Sequence, residues 1–242
     1  MKKINEPPFH IYFGDKTDNI FPADIKKTNS NFNVIKEKLN LKNLVILKQV
    51  HGTKSVCVDE QFLKENSDYF SKEGDTLLTN IKNIGIGVLT ADCVPIVLFD
   101  KKNKACSVVH AGWSGTKLRA VQKACDEMQN KYKSNIKDIT AYIGPSARAC
   151  CYEVQPEFIK NFENFLYKDQ IFIHKKNKIY FDVSRCNELQ LREIGLSEKN
   201  IVSCHNHCTI CTPRFFSYRR QGKDAGRQVT IVFTCKKEER TC

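Results

Sequence analysis

The sequence IGIGVLTADCVPIVLF, residues 84–99, is the longest apolar stretch of the chain and decides its fold. Asp92 and Pro95 interrupt it, and it is shorter than the roughly 20 residues that cross a bilayer, so it predicts a buried strand. A turn-like DKKN segment follows at 100–103, and a second apolar run, residues 105–109, leads into His110. The two runs predict a β-hairpin whose second strand ends at His110.

Helical and strand patterns flank this hairpin. Upstream, Phe32, Ile35 and Leu39 have helical spacing, and the apolar residues 44–47 predict a strand leading to His51. Downstream, a first helix is expected, whose apolar face comprises Leu118, Val121, Cys125, Met128 and Tyr132. A second helix is expected from Pro156, with Phe158, Ile159, Phe162 and Phe165 or Leu166 facing inward. A third should run from Val183 to about Leu191, with Gly195 near its end, and a strand is expected at 228–233. The chain is therefore expected to have a mixed α/β fold.

The composition is that of a packed globular enzyme. Of 242 residues, 41% are hydrophobic and 27% charged, and because neither a repeat nor a linker divides them, residues 1–242 are expected to form a single domain. The first residues lack the apolar run of a signal peptide, so a cytoplasmic location with twelve reduced or metal-binding cysteines is expected. The net charge of +12 lies on scattered lysines, which favours a solvated surface over a nucleic-acid site.

His51, Cys93 and His110 are the candidate metal ligands. Each lies at or inside a predicted strand, and a charge such as that of Asp92 is costly in an apolar strand without a polar partner. Two imidazoles and one thiolate suit zinc, and three protein ligands leave a fourth position open for water or substrate. The separations, 93 − 51 = 42 and 110 − 93 = 17 residues, match no local metal motif, so spacing alone leaves buried cysteine and core histidines as the alternative.

Sequence motifs along most of the chain add a resemblance. They are QVHG at 49–52, GDTLLT at 74–79, ADCVPI at 91–96, HAGWSGT at 110–116, IGPS at 143–146, CCYEV at 150–154, FFSYRR at 215–220 and GRQ at 226–228. Together they resemble the YfiH family, also called laccase-domain or polyphenol-oxidase-like proteins. One departure is the segment Ala147-Arg148-Ala149, where many relatives carry Ile-Gly-Pro.

The resemblance implies a fold, a cofactor and an activity. It implies a layered α/β/β/α arrangement and a catalytic zinc ion bound by His51, Cys93 and His110. It also implies phosphorolysis of adenosine, inosine, guanosine and 5′-methylthioadenosine, together with adenosine deamination. The expected partners are thus a purine nucleoside and phosphate, and no membrane. About one zinc ion per chain is expected, in a monomer or a homodimer.

The same motifs supply candidates for the remaining chemistry. Asp75 and Asp92 are candidate proton carriers, although Asp92 could equally orient a histidine. The turn with Gly112, Trp113, Gly115 and Thr116 opens a predicted helix and is a candidate phosphate cradle.

Arg219 and Arg220 are candidates for a phosphate clamp or a base-stacking wall. The alternative is that Phe215 and Phe216 belong to the core and both arginines to the surface.

A second group of possible ligands falls within eight residues: Cys204, His205, His207, Cys208 and Cys211. They could form a local zinc site, but buried thiols are the favoured interpretation, as they are for Cys150 and Cys151.

Other functions remain open at this stage. Two histidines and one cysteine also suit a single copper ion, whereas six histidines in all, with Met1 and Met128, are too few for a multicopper cluster. Cys93 could instead be a nucleophile activated by His110 without a metal. Editing of peptidoglycan precursors and a zinc-stabilised interaction module are the remaining alternatives.

Overall fold

The structure, a computed structural model, describes residues 2–66, 69–203 and 205–235. The strands are β1 (Lys2–Glu6), β2 (Phe9–Phe13), β3 (Asn43–Ile46), β4 (Ser55–Cys57), β5 (Thr76–Thr79), β6 (Ile84–Thr90), β7 (Val94–Asp100), β8 (Ala105–Ala111), β9 (Ile139–Ile143), β10 (Glu153–Val154), β11 (Phe172–Lys175), β12 (Lys178–Phe181), β13 (Ile201–Val202) and β14 (Gln228–Thr234). The α-helices are α1 (Ile25–Lys38), α2 (Glu60–Glu65), α3 (Trp113–Lys117), α4 (Ala120–Tyr132), α5 (Lys168–Ile171), α6 (Val183–Glu193) and α7 (Tyr218–Gln221).

Two large mixed sheets form the centre of the molecule. The first has the strand order β1-β2-β14-β6-β3, and the second has the order β13-β9-β7-β8-β5-β4. A smaller sheet, β10-β12-β11, lies beside them. Strand β14 pairs with β6 antiparallel, whereas β3 pairs with β6 in parallel. Because of this parallel pairing, the loops after β3 and β6 lie at the same end of the first sheet.

The alternation of side chains along β7 shows how the layers stack. Val94, Ile96 and Leu98 pack outward in the cluster that includes residues of α4 and α6. Val97 and Phe99 point the other way, into a core between the two sheets. The outer face of the first sheet is covered by α1. This order of layers is the α/β/β/α arrangement that the motifs implied, and the mixed α/β prediction is confirmed.

The predicted hairpin is present, but the apolar run 84–99, expected as its first strand, is not one strand. Strands β7 and β8 pair antiparallel from Val94 opposite Ala111 to Asp100 opposite Ala105. Residues 84–99, however, form β6 and β7, which belong to different sheets. The prediction that Cys93 lies inside a strand is therefore wrong. Asp92 has a left-handed backbone, with φ of 85°, and this turn takes the chain from one sheet to the other.

The helix predictions are confirmed with local corrections. The α3 and α4 helices are separated at Arg119, whose φ is 61°, and Leu118 beside it is 47% exposed rather than inward-facing. The helix at Pro156 is a 3₁₀ helix, in which Phe162 is buried. Phe165 is 7% exposed and Leu166 is 98% exposed, so Phe165 is the inward residue. Within the described ranges, no helix is long and apolar enough to span a membrane.

Candidate metal centre

His51 lies in the loop after β3, where its backbone has a φ of 60°. The side chain of Gln49 ties this loop to β6 through both ends of its amide. Its Oε1 accepts a hydrogen bond from the backbone N–H of Leu89 at 2.7 Å, and its Nε2 donates to the Leu89 carbonyl at 2.8 Å. The loop is thereby fixed to the first sheet.

Asp75 precedes β5 and connects His51 with His110. Its side chain is fully buried. Oδ1 accepts a hydrogen bond from the backbone N–H of His51 at 2.9 Å and contacts Nδ1 of His110 at 2.8 Å. Oδ2 accepts from the backbone N–H of Gly52 at 2.7 Å, and the Asp75 carbonyl accepts from the His110 N–H at 2.8 Å. One carboxylate therefore positions two candidate ligands and makes Nε2 the ring nitrogen with which His110 would bind a metal.

Cys93 occupies the connection between β6 and β7, and Asp92 anchors that connection. Oδ1 of Asp92 accepts a hydrogen bond from the Thr209 hydroxyl at 2.6 Å. Oδ2 accepts from the Ser217 hydroxyl at 3.0 Å and from the backbone N–H of Arg219 at 2.7 Å. The polar partner that Asp92 needs is thus supplied by the segment around α7, which fixes the backbone next to Cys93.

The structure brings the three predicted ligands together. One ligand atom each of His51, Cys93 and His110 lie within 4.8 Å of one another. The two imidazole rings are 4.8 Å apart between centroids and nearly perpendicular, at 80°. A Cβ atom at Gly112 would lie 3.0 Å from the Cys93 sulfur and 3.3 Å from Cδ2 of His51. The neighbouring turn therefore requires glycine if both ligands are to keep their positions.

The charges of Cys93 and His110 are coupled: the thiolate pairs with a protonated imidazole, whose proton a metal ion would replace. Burial raises the pKa of the Cys93 thiol, but charge and hydrogen bonds from His110, with a hydrogen bond from His51, outweigh it and lower the pKa to about 6. Burial lowers the pKa of His110, whereas the Cys93 thiolate and Asp75 raise it, to about 9. Hydrogen bonds from His110, Gly52 and His51 hold the pKa of Asp75 below its ordinary value despite burial. The sulfur is therefore a thiolate at neutral pH, the form that binds metals.

The three ligands open into a cavity of about 900 Å³. Its volume is in the range of small-molecule sites. Trp113 is 42% exposed and Tyr218 is 51% exposed, so aromatic surface is available to a ligand. The cavity is lined by Pro22, Ile25, Leu47, Lys48, Gln49, His51, Phe70, Leu89, Ala91, Asp92, Cys93, His110, Trp113, Tyr152, Val183, Tyr218, Arg219 and Arg227.

The two predicted arginines have different surroundings. Arg219 lines the cavity, lies over the Tyr152 ring at 4.9 Å and donates to the Glu153 carbonyl at 2.9 Å. The guanidinium of Arg220 instead donates to the backbone carbonyls of residues 209, 210 and 215. Arg220 therefore holds its own segment in shape, and the structure does not place it among the cavity residues.

The four residues of the predicted phosphate cradle also differ in their surroundings. Gly112 is the N-cap residue of the five-residue helix α3, and Trp113 lines the cavity. Gly115 and Thr116 are buried, and the Thr116 hydroxyl accepts a hydrogen bond from Asn187 of α6 at 2.9 Å. Thr116 therefore ties the turn to α6, and because neither residue lines the cavity, their positions do not support the prediction that they bind phosphate.

The predicted local cluster at residues 204–211 does not use its histidines as ligands of one site. His205 packs against Phe13, with ring centroids 6.0 Å apart, and His207 against Phe215, at 6.2 Å. Cys204 lies outside the described residues. Cys208 and Cys211 instead approach Cys150 and Cys151, with sulfur atoms within 4.8 Å of one another. The favoured interpretation as buried thiols is confirmed for Cys208, whereas Cys151 is half-buried and Cys150 and Cys211 are exposed.

Several functional residues were not singled out from sequence. Gln49 fixes the His51 loop, while Tyr152 and Tyr218 form aromatic parts of the cavity wall. All three residues lie inside the quoted motifs, so the motifs could have pointed to them. Their roles were not visible because the partners, Leu89 and Arg219 among them, come from distant parts of the chain.

We predict that Gly112→Ala weakens binding of added zinc by about ten-fold or more, the lower range for disturbed supporting residues of a metal site. The added methyl group would meet Cys93 and His51 at the distances given above. Gly52→Ala is the matched control, because its Cβ would have ordinary contacts of 3.6 Å and 3.8 Å. Competition with a chromophoric chelator measures both affinities, and equal affinity for the two variants would contradict this account of Gly112.

Comparisons with known proteins agree with the fold and the motifs. The family model described as multi-copper polyphenol oxidoreductase laccase matches residues 21–235. A purine nucleoside phosphorylase of Clostridium acetobutylicum is 35% identical over 95% of this chain and 94% of its own length. An adenosine deaminase from an unknown prokaryotic organism is 35% identical over 81% of this chain and 76% of its own.

Solved structures match the fold as well. The crystal structure of the hypothetical protein YfiH from Bacillus licheniformis has a TM-score of 0.84 at 24% identity and covers 94% of this chain and 93% of its own. At that identity the likeness shows the fold alone. The match to the family model, which extends over most of the sequence, shows the family. The chain therefore belongs to the family described as multi-copper polyphenol oxidoreductase laccase.

Proposed function

We propose that this protein is a zinc-dependent purine nucleoside phosphorylase. It would cleave adenosine, inosine, guanosine or 5′-methylthioadenosine with phosphate, giving the free base and the corresponding ribose 1-phosphate. The observation that supports this most is a three-ligand metal centre opening into a cavity with aromatic and cationic walls. The name of the Clostridium relative supports the choice of reaction.

The donor set fits zinc. Two imidazole nitrogens and one thiolate are frequent zinc ligands, and three protein ligands are typical of catalytic rather than structural sites. The Gly112 turn leaves room for His51 and Cys93 beside it, and Asp75 fixes the nitrogen with which His110 would bind. When bound, the ion supplies Lewis acidity, which polarises an oxygen of phosphate, water or the nucleoside.

Arg219 is the candidate phosphate-binding residue. Its guanidinium lies at the cavity wall, oriented by the Tyr152 ring and the Glu153 carbonyl. An arginine held in this way can donate paired hydrogen bonds to a phosphate. Its backbone N–H donates a hydrogen bond to Asp92, so the residue that carries the cationic side chain is anchored to the connection that carries Cys93. Phosphate would thus be bound close to the metal centre.

The aromatic side chains are suited to a purine. Trp113, Tyr218, Tyr152 and Phe70 all line the cavity. Stacking of a base on an aromatic ring contributes about 1–3 kcal/mol and tolerates different bases. A site that recognises the base by stacking would accept adenine, hypoxanthine and guanine alike, which supports a broad purine specificity.

Asp75 and Asp92 are better explained as positioning residues than as proton carriers. Asp75 is buried beneath the ligands and already accepts hydrogen bonds on both oxygens. Asp92 likewise uses both oxygens for Thr209, Ser217 and Arg219, and the histidine-orienting role considered for it is filled by Asp75. The proton in either reaction would then travel through substrate, phosphate or water.

Adenosine deamination is the second candidate, favoured by the relative named adenosine deaminase. It would use the same ligands and cavity, but water would attack C6 of adenine and ammonia would leave, whereas in phosphorolysis phosphate attacks C1′ of the ribose and the base leaves. A single copper ion at this site remains the alternative that the family's description favours. A metal-free thiol nucleophile is the alternative favoured by the low pKa of Cys93.

We expect purified protein incubated with adenosine to form adenine and ribose 1-phosphate only when phosphate is present. Inosine formed without phosphate would report deamination, and hypoxanthine would report both reactions in sequence. Chromatography of the bases distinguishes these products. His51→Ala should abolish turnover together with the metal bound at this centre, whereas a metal-free nucleophile predicts activity that survives a chelator. If zinc-loaded protein turns over no purine nucleoside, the proposal is wrong.

We predict that Arg219→Gln raises the KM for phosphate roughly 10- to 100-fold, because a hydrogen bond to a charged group contributes about 1.5–3 kcal/mol. Deamination, which needs no phosphate, should change much less. Arg214→Gln is the matched control, since Arg214 pairs with Asp15 and is outside the cavity lining. Steady-state kinetics with varied phosphate measures the effect; an unchanged KM with normal zinc content would remove Arg219 from the phosphate site.

A further inference from the structure

Four cysteines outside the metal centre meet on the surface of the molecule. Cys150 and Cys151 precede β10, whereas Cys208 and Cys211 follow β13, and their sulfur atoms all lie within 4.8 Å of one another. We propose that these four thiolates bind a second zinc ion, which has a structural role. This goes beyond the proposed function, which needs only the centre at His51, Cys93 and His110.

The spacing of the sulfur atoms suits one ion. Zinc–sulfur bonds of about 2.3 Å in a tetrahedron place the sulfurs about 3.8 Å apart, which is compatible with this cluster. An iron–sulfur cluster inserts several atoms between its cysteines and needs wider spacing. Cys208 and Cys211 also have the two-residue separation common in structural zinc sites. All four cysteines are free thiols, so no disulfide competes for these sulfurs.

The backbone around the cluster is arranged for a thiolate. The N–H groups of Cys211, Ile210 and Arg148 donate hydrogen bonds to the Cys208 sulfur. Such donors stabilise negative charge on sulfur before any ion binds. Four thiolates packed this closely repel one another, and a divalent cation would offset that repulsion. The cluster therefore has both the ligands and the local donors of a thiolate metal site.

The two contributing segments are already aligned by the backbone. Ser146 and Cys208 form an isolated parallel bridge. The Ser146 N–H donates to the His207 carbonyl at 3.0 Å, and the Thr209 N–H donates to the Ser146 carbonyl at 2.9 Å. A metal ion would crosslink two segments that lie far apart in sequence, which is how structural zinc contributes to folding.

The crosslink would also support the catalytic cavity. Thr209, between Cys208 and Cys211, donates its hydroxyl to Asp92, the neighbour of Cys93. Tyr152, next to Cys151, lines the cavity and carries Arg219 on its ring. Because all four positions around this ion would be taken by cysteine, the ion would have no open position for substrate. Its role would be to stabilise the part of the cavity wall that Tyr152 and Arg219 form.

The metal content of the full-length protein, purified under reducing conditions, tests this directly. We expect about two zinc ions per wild-type chain by elemental analysis, one for each site. The double variant Cys208→Ser/Cys211→Ser should retain about one, and Cys93→Ser should also retain about one. Cys57→Ser, a half-buried cysteine outside both groups, is the matched control and should retain both ions.

A second measurement leaves the cluster intact, in case the double variant does not fold. Cobalt(II) added to metal-free Cys93→Ser protein should give the intense sulfur-to-cobalt absorption of a four-thiolate site. Absence of that absorption, or a wild-type content of one zinc that Cys93→Ser removes entirely, would overturn the proposal. Disulfides between residues 150–151 and residues 208 or 211 in freshly purified protein would overturn it as well.

Discussion

The buried carboxylate of Asp75 is the constraint on which the candidate centre depends. It accepts hydrogen bonds from the His51 and Gly52 backbone and from the His110 imidazole, so it joins a loop of the first sheet to a strand of the second. Such a charge is costly to bury unless its oxygens are satisfied. Satisfying them requires the two ligands to be placed as they are, and the positions of the ligands therefore follow from the burial of one acid.

Much of the architecture could be predicted from the sequence, but the convergence of the site could not. Alternation and apolar runs located β7, β8, α4 and α6, and the motifs pointed to the three candidate ligands that the structure brings together. Both β6 and β7 are buried along their whole length, so their pattern does not say that they belong to different sheets. That change of sheet at Asp92 is what carries Cys93 to the histidines, and it depends on partners at Thr209 and Ser217.

The grouping of the cysteines also depends on contacts between distant segments, which the sequence pattern does not show. Within residues 204–211 the sequence suggested a local group with two histidines, yet those histidines pack against aromatic rings. The sulfurs of that segment meet Cys150 and Cys151 instead, through a bridge between segments distant in sequence. Thr209 then connects this cluster to Asp92 and so to Cys93. The two groups of possible ligands are thus connected through the hydrogen bond between Thr209 and Asp92, and loss of one group is expected to affect the other.

The most direct test of this account is the zinc affinity of Asp75→Asn, which keeps the shape of the side chain but removes its charge. Because the amide cannot accept all the hydrogen bonds of the carboxylate, we predict affinity about 10- to 100-fold weaker at the His51, Cys93 and His110 centre. Competition with a chromophoric chelator measures it, with Cys93→Ser protein giving the background from any other zinc. Wild-type affinity in a folded Asp75→Asn protein would contradict the account.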